Sequence, residues 1–340
     1  MKAGFSVIIA LLILTSLAYA QLGVEILTSG TNSSLRGLSV VNDHVIWVSG
    51  SNGTIGKSLN GGKNWKWTTV KGFEKNDFRD IEAFDATTAV IMAVGEPAYI
   101  LRTVNGGENW KVVFEDKTPG MFLDAIEFWN EKAGIVLGDP VNGKFFIART
   151  FDGGSTWEKV PDKYLPAAVE GEACFAASGT NIRALDRDEA VFVTGGTKSR
   201  MFWKGDPIDL PILQGKETTG ANSIAVWDNY RRNGGNQIIV VGGDFANDTL
   251  TTNNCFYSNN RGRTWHIPDT PPNGYRSCVE FFSKKDVVAC GLTGVDYSHD
   301  GGRNWSPISD ESFHVVRFAK GGLTMFLAGA NGKIGKLVLK

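Results

Sequence analysis

The chain has 340 residues, with 35 Lys and Arg against 36 Asp and Glu and a formal net charge of −1 at pH 7. That balance removes the electrostatic basis for recognising nucleic acid or an anionic membrane surface. With 42% apolar residues, 41 Gly and only 11 Pro, the composition excludes a disordered chain and points to a turn-rich β protein.

The chain opens on a signal peptide. Lys2 supplies the positive start, Val7 to Leu14 the apolar run, and Ala18-Tyr19-Ala20 an A-x-A cleavage site. Cleavage is expected after Ala20. The mature chain, 21–340, is then secreted or periplasmic, and no later segment reaches the length of a membrane span.

Beyond the leader, apolar strands alternate with one short box. Its five copies run Ser58–Trp65, Thr103–Trp110, Thr150–Trp157, Ser258–Trp265 and Ser298–Trp305, on the pattern Ser/Thr-x-Asp/Asn-x-Gly-x-Thr/Asn-Trp, with Arg261 in place of a first Gly in the fourth. Asp and Asn can close a turn on their own backbone. Gly supplies the positive φ, and the closing Trp buries a ring whose N–H needs one partner. Each box therefore reads as a stapled hairpin turn. The third position is acidic only in Asp152 and Asp300, which argues against calcium.

The box Trp residues lie 45, 47, 108 and 40 residues apart. The long step hides one blade without a box, near Arg200-Met201-Phe202-Trp203. About forty to fifty residues is the length of one four-stranded blade. Seven second strands follow in order: Val45–Gly50, Val90–Gly95, Gly134–Gly138, Ala190–Gly195, Gln237–Gly242, Val287–Gly291 and Thr324–Gly329. The chain ends one strand short, and Gly23–Ser29 can supply the missing one. The reading is an all-β fold: a single seven-bladed β-propeller with Asp-box turns, closed by an N-terminal strand.

The boxes resemble the Asp-box, or bacterial neuraminidase (BNR) repeat, of sialidases, sortilin-type receptors and other propellers. The runs Leu35–Ser39, Phe78–Phe84, Gly138-Asp139-Pro140, Gly171-Glu172-Ala173, Phe175–Thr180 and Gly274–Ser277 resemble the photosystem II stability/assembly factor-like family. That resemblance implies a propeller and a binding or assembly role.

Propellers generally use the mouth of the central channel. Aligning the inner strands places Arg36, Arg79, Leu123, Glu172, Asn222, Arg276 and His314 at that mouth, one per blade. Asp80, Asp124 and Ser277 come next, and Tyr275 precedes Arg276. The expected ligand site is Arg36, Arg79, Asp80, Asp124, Glu172, Tyr275, Arg276 and His314. Arginine presents a planar fork that fits carboxylate or phosphate. The same charges can instead pair with one another and hold the ring closed.

Four cysteines, Cys174, Cys255, Cys278 and Cys290, complete the inventory. Cys278 and Cys290 face each other across one hairpin, either as a disulfide or as two buried thiols. No C-x-x-C occurs, and no metal or cofactor is expected. Sequons at Asn32, Asn52, Asn247 and Asn304 matter only in a eukaryotic source.

The leading functional reading is an exported, monomeric, non-catalytic module. It holds a protein partner or a small anionic or polar ligand at the channel mouth. Two enzymatic alternatives share the pocket. A sialidase-like hydrolase would use the three arginines, Tyr275, Glu172 and Asp80, although the family's Arg-Ile-Pro run is absent at Arg36-Gly37-Leu38. An oxidoreductase would use His314 as proton carrier, without any flavin, nicotinamide, haem or quinone motif.

Overall fold

Strands with period-two alternation pair with their sequence neighbours into seven antiparallel sheets, the blades of a propeller. The computed structural model describes residues 22–28, 30–204, 206–228 and 234–339. The expected leader and its expected cleavage site lie outside the described residues. Among the described residues no helix is long and apolar enough to cross a membrane.

The inner strands are Leu35–Val40, Phe78–Ala83, Leu123–Phe128, Ile182–Ala184, Thr219–Val226, Cys278–Phe281 and Val315–Phe318, for blades 1 to 7. In the seventh blade, Leu22–Thr28 pairs antiparallel with Ile334–Leu339, from Leu22 opposite Leu339 to Thr28 opposite Ile334. The first and last segments of the described chain thus share one sheet, which closes the ring without an open seam. Apolar faces pack between adjacent blades. Trp47, Phe78 and Ile91 join blades 1 and 2, and Val193, Met201 and Val240 join blades 4 and 5.

The five boxes adopt one geometry. In each, the first hydroxyl accepts the amide of a glycine four residues on: Gly62 at 2.9 Å, Gly107 at 3.1 Å, and Gly154, Gly262 and Gly302 at 2.9 Å. The Asn or Asp oxygen then accepts the amide before the Trp, at 2.9 to 3.1 Å. These glycines all sit at positive φ, where a side chain would strain the backbone. The indole N–H of Trp65 and of Trp305 donates to the carbonyl of that glycine at 3.0 Å. The indoles of Trp110, Trp157 and Trp265 find no such partner. The boxes are structural staples of the turn between third and fourth strands.

One expectation needs correction. Asp206–Asp209 forms the outer strand of blade 4. Blade 4 begins at Ile182, so Glu172 does not open it. Glu172–Ala173 instead pairs with Gly195–Gly196, which continues into the sheet of blade 5. Cys278 and Cys290 do face each other, as free buried thiols.

Trp305 is 3% exposed, whereas Trp110 is half-buried. Trp305→Ala should therefore cost about 3–5 kcal/mol in urea denaturation, and Trp110→Ala clearly less. A Trp305→Ala protein within about 1 kcal/mol of wild type would remove the stapling role of the box.

Candidate functional site at the channel mouth

The inner strands carry an extra residue where they enter the channel. The ladder slips between Leu35 and Gly37, Phe78 and Asp80, Leu123 and Ala125, and Ala221 and Ser223. The residues at these bulges are Arg36, Arg79, Asp124 and Asn222. Ser277 and His314 hold the same place in blades 6 and 7, because each amide bonds the carbonyl that faces the following residue. A bulge re-aims a side chain out of the sheet. Alignment by sequence was therefore one residue out in blades 3 and 6, where it selected Leu123 and Arg276 in place of Asp124 and Ser277.

A strap closes the channel beneath this ring. It runs from Cys174 to Asn181, between blades 3 and 4. Arg36 of blade 1 donates to the Ala177 carbonyl at 3.1 Å. The Ser178 hydroxyl donates to the Ser277 carbonyl of blade 6 at 2.7 Å. Arg317 of blade 7 donates to the Gly179 carbonyl at 3.2 Å. Thr180 bonds Ser223 of blade 5 at 2.6 Å, and its carbonyl takes the Ile224 amide at 2.9 Å. On the remaining side Gly179 lies against the Asp80 carboxyl of blade 2.

Above the strap is a cavity of about 350 Å³. Arg36, Arg79, Asn222, Tyr275, Ser277 and His314 supply its polar lining, and Phe122, Phe175, Phe245 and Leu292 most of its apolar wall. Among the described residues no carboxylate lines it. Arg79 is held by Asp77 at 2.8 Å, with both side chains about 30% exposed, and its guanidinium lies over the Phe122 ring. Among the described residues Arg36 makes no ion pair. Burial, then the charge of Arg79, lowers its pKa below the ordinary arginine value. His314 accepts or donates at Nε2 to the Ser34 hydroxyl at 3.0 Å. Burial and the two arginine charges push its pKa down to about 3, so it is neutral at pH 7. The Tyr275 hydroxyl donates to Asn222 Oδ1 at 2.8 Å, and burial raises its pKa.

Of the eight expected site residues, the cavity brings together Arg36, Arg79, Tyr275 and His314. The other four lie elsewhere. Arg276 is 1% exposed and bonds Asp296 through Nε at 2.7 Å, with further bonds to Thr293 and the Tyr275 carbonyl. Glu172 takes Arg200 in a two-point pair and the Thr194 hydroxyl at 2.6 Å. Asp80 accepts the amides of Ile81 and Ile126 at 2.9 Å, and so ties blade 2 to blade 3. Burial, partly offset by Arg317, pushes its carboxyl up to about 8. Asp124 is buried beside the strap. The arginine triad and the tyrosine–glutamate pair of a sialidase are consequently not assembled: Arg276 and Glu172 are locked in other pairs.

The far mouth is larger, about 480 Å³, and carries a ring of charge that sequence analysis missed: Glu82, Glu127, Arg183, Glu280 and Arg317, with Lys320. The signal was a charged residue centred in otherwise apolar inner strands, as in Ile126-Glu127-Phe128. These charges largely pair among themselves. Arg183 meets Glu280 at 2.8 Å, Arg317 meets it at 3.9 Å, and Lys320 meets Glu82. The strap-side mouth keeps an unbalanced positive charge, and for that reason it is the candidate site.

Two expectations follow. Gly179 sits at φ +65° and a Cβ there would meet the Asp80 carboxyl. Gly179→Ala should therefore destabilise the protein by at least about 2 kcal/mol in chemical denaturation. His314 titrates near 6.5 when unfolded and about 3 when folded, so between those values the unfolded chain binds more protons. Its contribution is complete above pH 6.5 and is lost as pH falls toward 3. Asp80 acts oppositely, its contribution being complete below about 3.8 and lost as pH rises toward 8. Denaturation at a series of pH values should show His314→Gln flattening the acid limb between pH 6.5 and 4, and an unchanged limb would contradict the neutral buried imidazole.

The family described as Photosynthesis system II assembly factor YCF48 matches residues 19–125, and the BNR/Asp-box repeat matches residues 296–307. No curated protein matches the chain in sequence. Among solved structures, YCF48 bound to D1 peptide superposes with a TM-score of 0.65 at 17% identity, over 96% of this chain and 97% of that one. YCF48 from Cyanidioschyzon merolae gives 0.65 at 16%, over 92% and 98%. The WD40 β-propeller domain of Doa1 gives 0.61 at 10%, over 95% and 98%, so the shared feature at this distance is the fold. Boxes, blade count and the matched N-terminal region make this chain an Asp-box β-propeller that resembles the photosystem II stability/assembly factor-like family.

Proposed function

We propose that the chain is an exported, monomeric, non-catalytic binding propeller that holds a carboxylate-bearing segment of a partner protein at its strap-side mouth. One observation carries this reading: two guanidinium groups and a neutral imidazole line an aromatic-walled cavity with no carboxylate among the described residues. A buried positive site of this kind favours an anion, and a planar fork favours a carboxylate held at two points. The walls of Phe122, Phe175 and Phe245 favour apolar neighbours on the same ligand. A chain terminus or acidic side chain flanked by apolar residues meets both demands. The similarly folded YCF48 bound to D1 peptide supports a peptide as the class of ligand.

Arg36 is the group to which a ligand would be most sensitive, since among the described residues its guanidinium has only the Ala177 carbonyl as partner. Fluorescence anisotropy with a labelled peptide ending in apolar residues and a free carboxylate tests the reading. The protein is taken from the extracytoplasmic fraction, where an N-terminus at Gln21 is expected. Arg36→Ala and Arg79→Ala should each weaken binding at least about tenfold, the loss of one charge-assisted hydrogen bond. Equal affinity for the amidated peptide, or unchanged binding in both variants, would refute it.

A further inference from the structure

Beneath the mouth, three potential metal ligands converge from distant parts of the chain. Asp124 comes from the bulge of the inner strand of blade 3. Asp139 comes from the second strand of that blade, and Cys174 from the first residue of the strap. One ligand atom of each lies within 4.8 Å of the others. Asp139 already accepts the Cys174 amide at 2.8 Å, which fixes the strap against the blade at this point.

Asp124 is the telling residue. It is 0% exposed, and neither carboxylate oxygen has a hydrogen-bond partner. The amides of Ala176 and Asp139 approach it but fall outside hydrogen-bond geometry, the latter donating instead to the Phe122 carbonyl at 2.9 Å. The nearby Arg79 is engaged by Asp77. Buried carboxylates are ordinarily paired, hydrogen-bonded or bound to a metal. Here two carboxyls and a thiol face one another, with no cationic side chain among them in the described residues. The cluster therefore demands positive charge, either protons or a metal.

We propose that Asp124, Asp139 and Cys174 form a binding site for one borderline divalent cation, zinc by donor type. A thiolate with two carboxylates suits zinc and disfavours calcium or magnesium, which take six or more oxygens or keep their waters. Three protein ligands leave a fourth position for water. Access is available from the side of Asp139, which lines a second cavity with Pro140, Gly143 and Gly171. Cys174 lines the mouth cavity, so the metal staples the strap to blade 3 directly below the ligand site. No short motif announces it, because the ligands are separated by 14 and 34 residues.

The test uses untagged, chelator-treated protein titrated with zinc chloride by calorimetry, and with cobalt(II) by absorption. One equivalent should bind. Cobalt should give a near-ultraviolet thiolate charge-transfer band that Cys174→Ser abolishes. Asp124→Asn and Asp139→Asn should each weaken zinc binding at least tenfold, and zinc should raise the melting temperature of wild type only. The second aspartate variant guards against a misfolded first. Absence of stoichiometric zinc binding would overturn the proposal, as would binding that survives all three substitutions. If zinc fails to bind and Asp124→Asn is more stable than wild type, the pair shares a proton and no metal site exists.

Discussion

The strap from Cys174 to Asn181 is the constraint on which the site depends. Seven inner strands surround a channel whose wall presents backbone and side-chain polar groups, and an unmet polar group in that interior is costly. The strap supplies the missing partners to blades 1, 5, 6 and 7 through four consecutive residues, Ala177 to Thr180. Only small residues fit where every side is another blade. Ser178 and Thr180 are wholly buried, and Gly179 adopts a positive φ against Asp80. The same contacts set the floor of the mouth, because the guanidinium of Arg36 is positioned by the carbonyl of Ala177.

The two ends of the channel differ for an identifiable reason. At the far end, Glu and Arg sit in register on inner strands and neutralise one another across the opening. At the strap end, the bulge residues of blades 5, 6 and 7 are Asn222, Ser277 and His314, none of which carries charge at pH 7. The one carboxyl at a bulge, Asp124, is buried toward the strap and does not line the cavity. Among the described residues Arg36 thus has no ion-pair partner, and the partner of Arg79, Asp77, does not line the cavity. Burial first, and then the charges of Arg36 and Arg79, lower the pKa of His314 beside them.

The fold was legible because it is repetitive. The box spacing set the blade length, the second strands counted the blades, and the missing strand in blade 7 identified the N-terminal segment as its partner. The site was half legible. Arg36 and Arg79 could be found because charged residues stand out where strands are apolar. Arg276 and Glu172 looked identical in sequence to those, and only their partners, Asp296 and Arg200, separate them. Those partners lie 20 and 28 residues away, in segments with no shared motif. The strap was invisible as such, since a run of Ala, Ser, Gly and Thr carries no period and no charge.

The positions of the boxes explain why repetition and function do not coincide. Each box joins a third strand to a fourth, at the outer edge of its blade, far along the sheet from the channel. Blade 7 needs none, because its outer strand is the N-terminal segment and no turn connects it to its neighbour. Blade 4 turns after Trp203, with Lys204 at positive φ, into Asp206–Asp209. It is also the blade entered from the strap. The irregular blade therefore carries the insertion, while the regular ones carry the scaffold. In a closed ring each blade has only two neighbours, so a departure from the repeat is tolerated where it repays its cost in contacts. The strap meets that condition by satisfying polar groups on blades 1, 5, 6 and 7. A sequence search for function in such a protein should start where the repeat fails, between Trp157 and Trp265, and not at the boxes that reveal the fold.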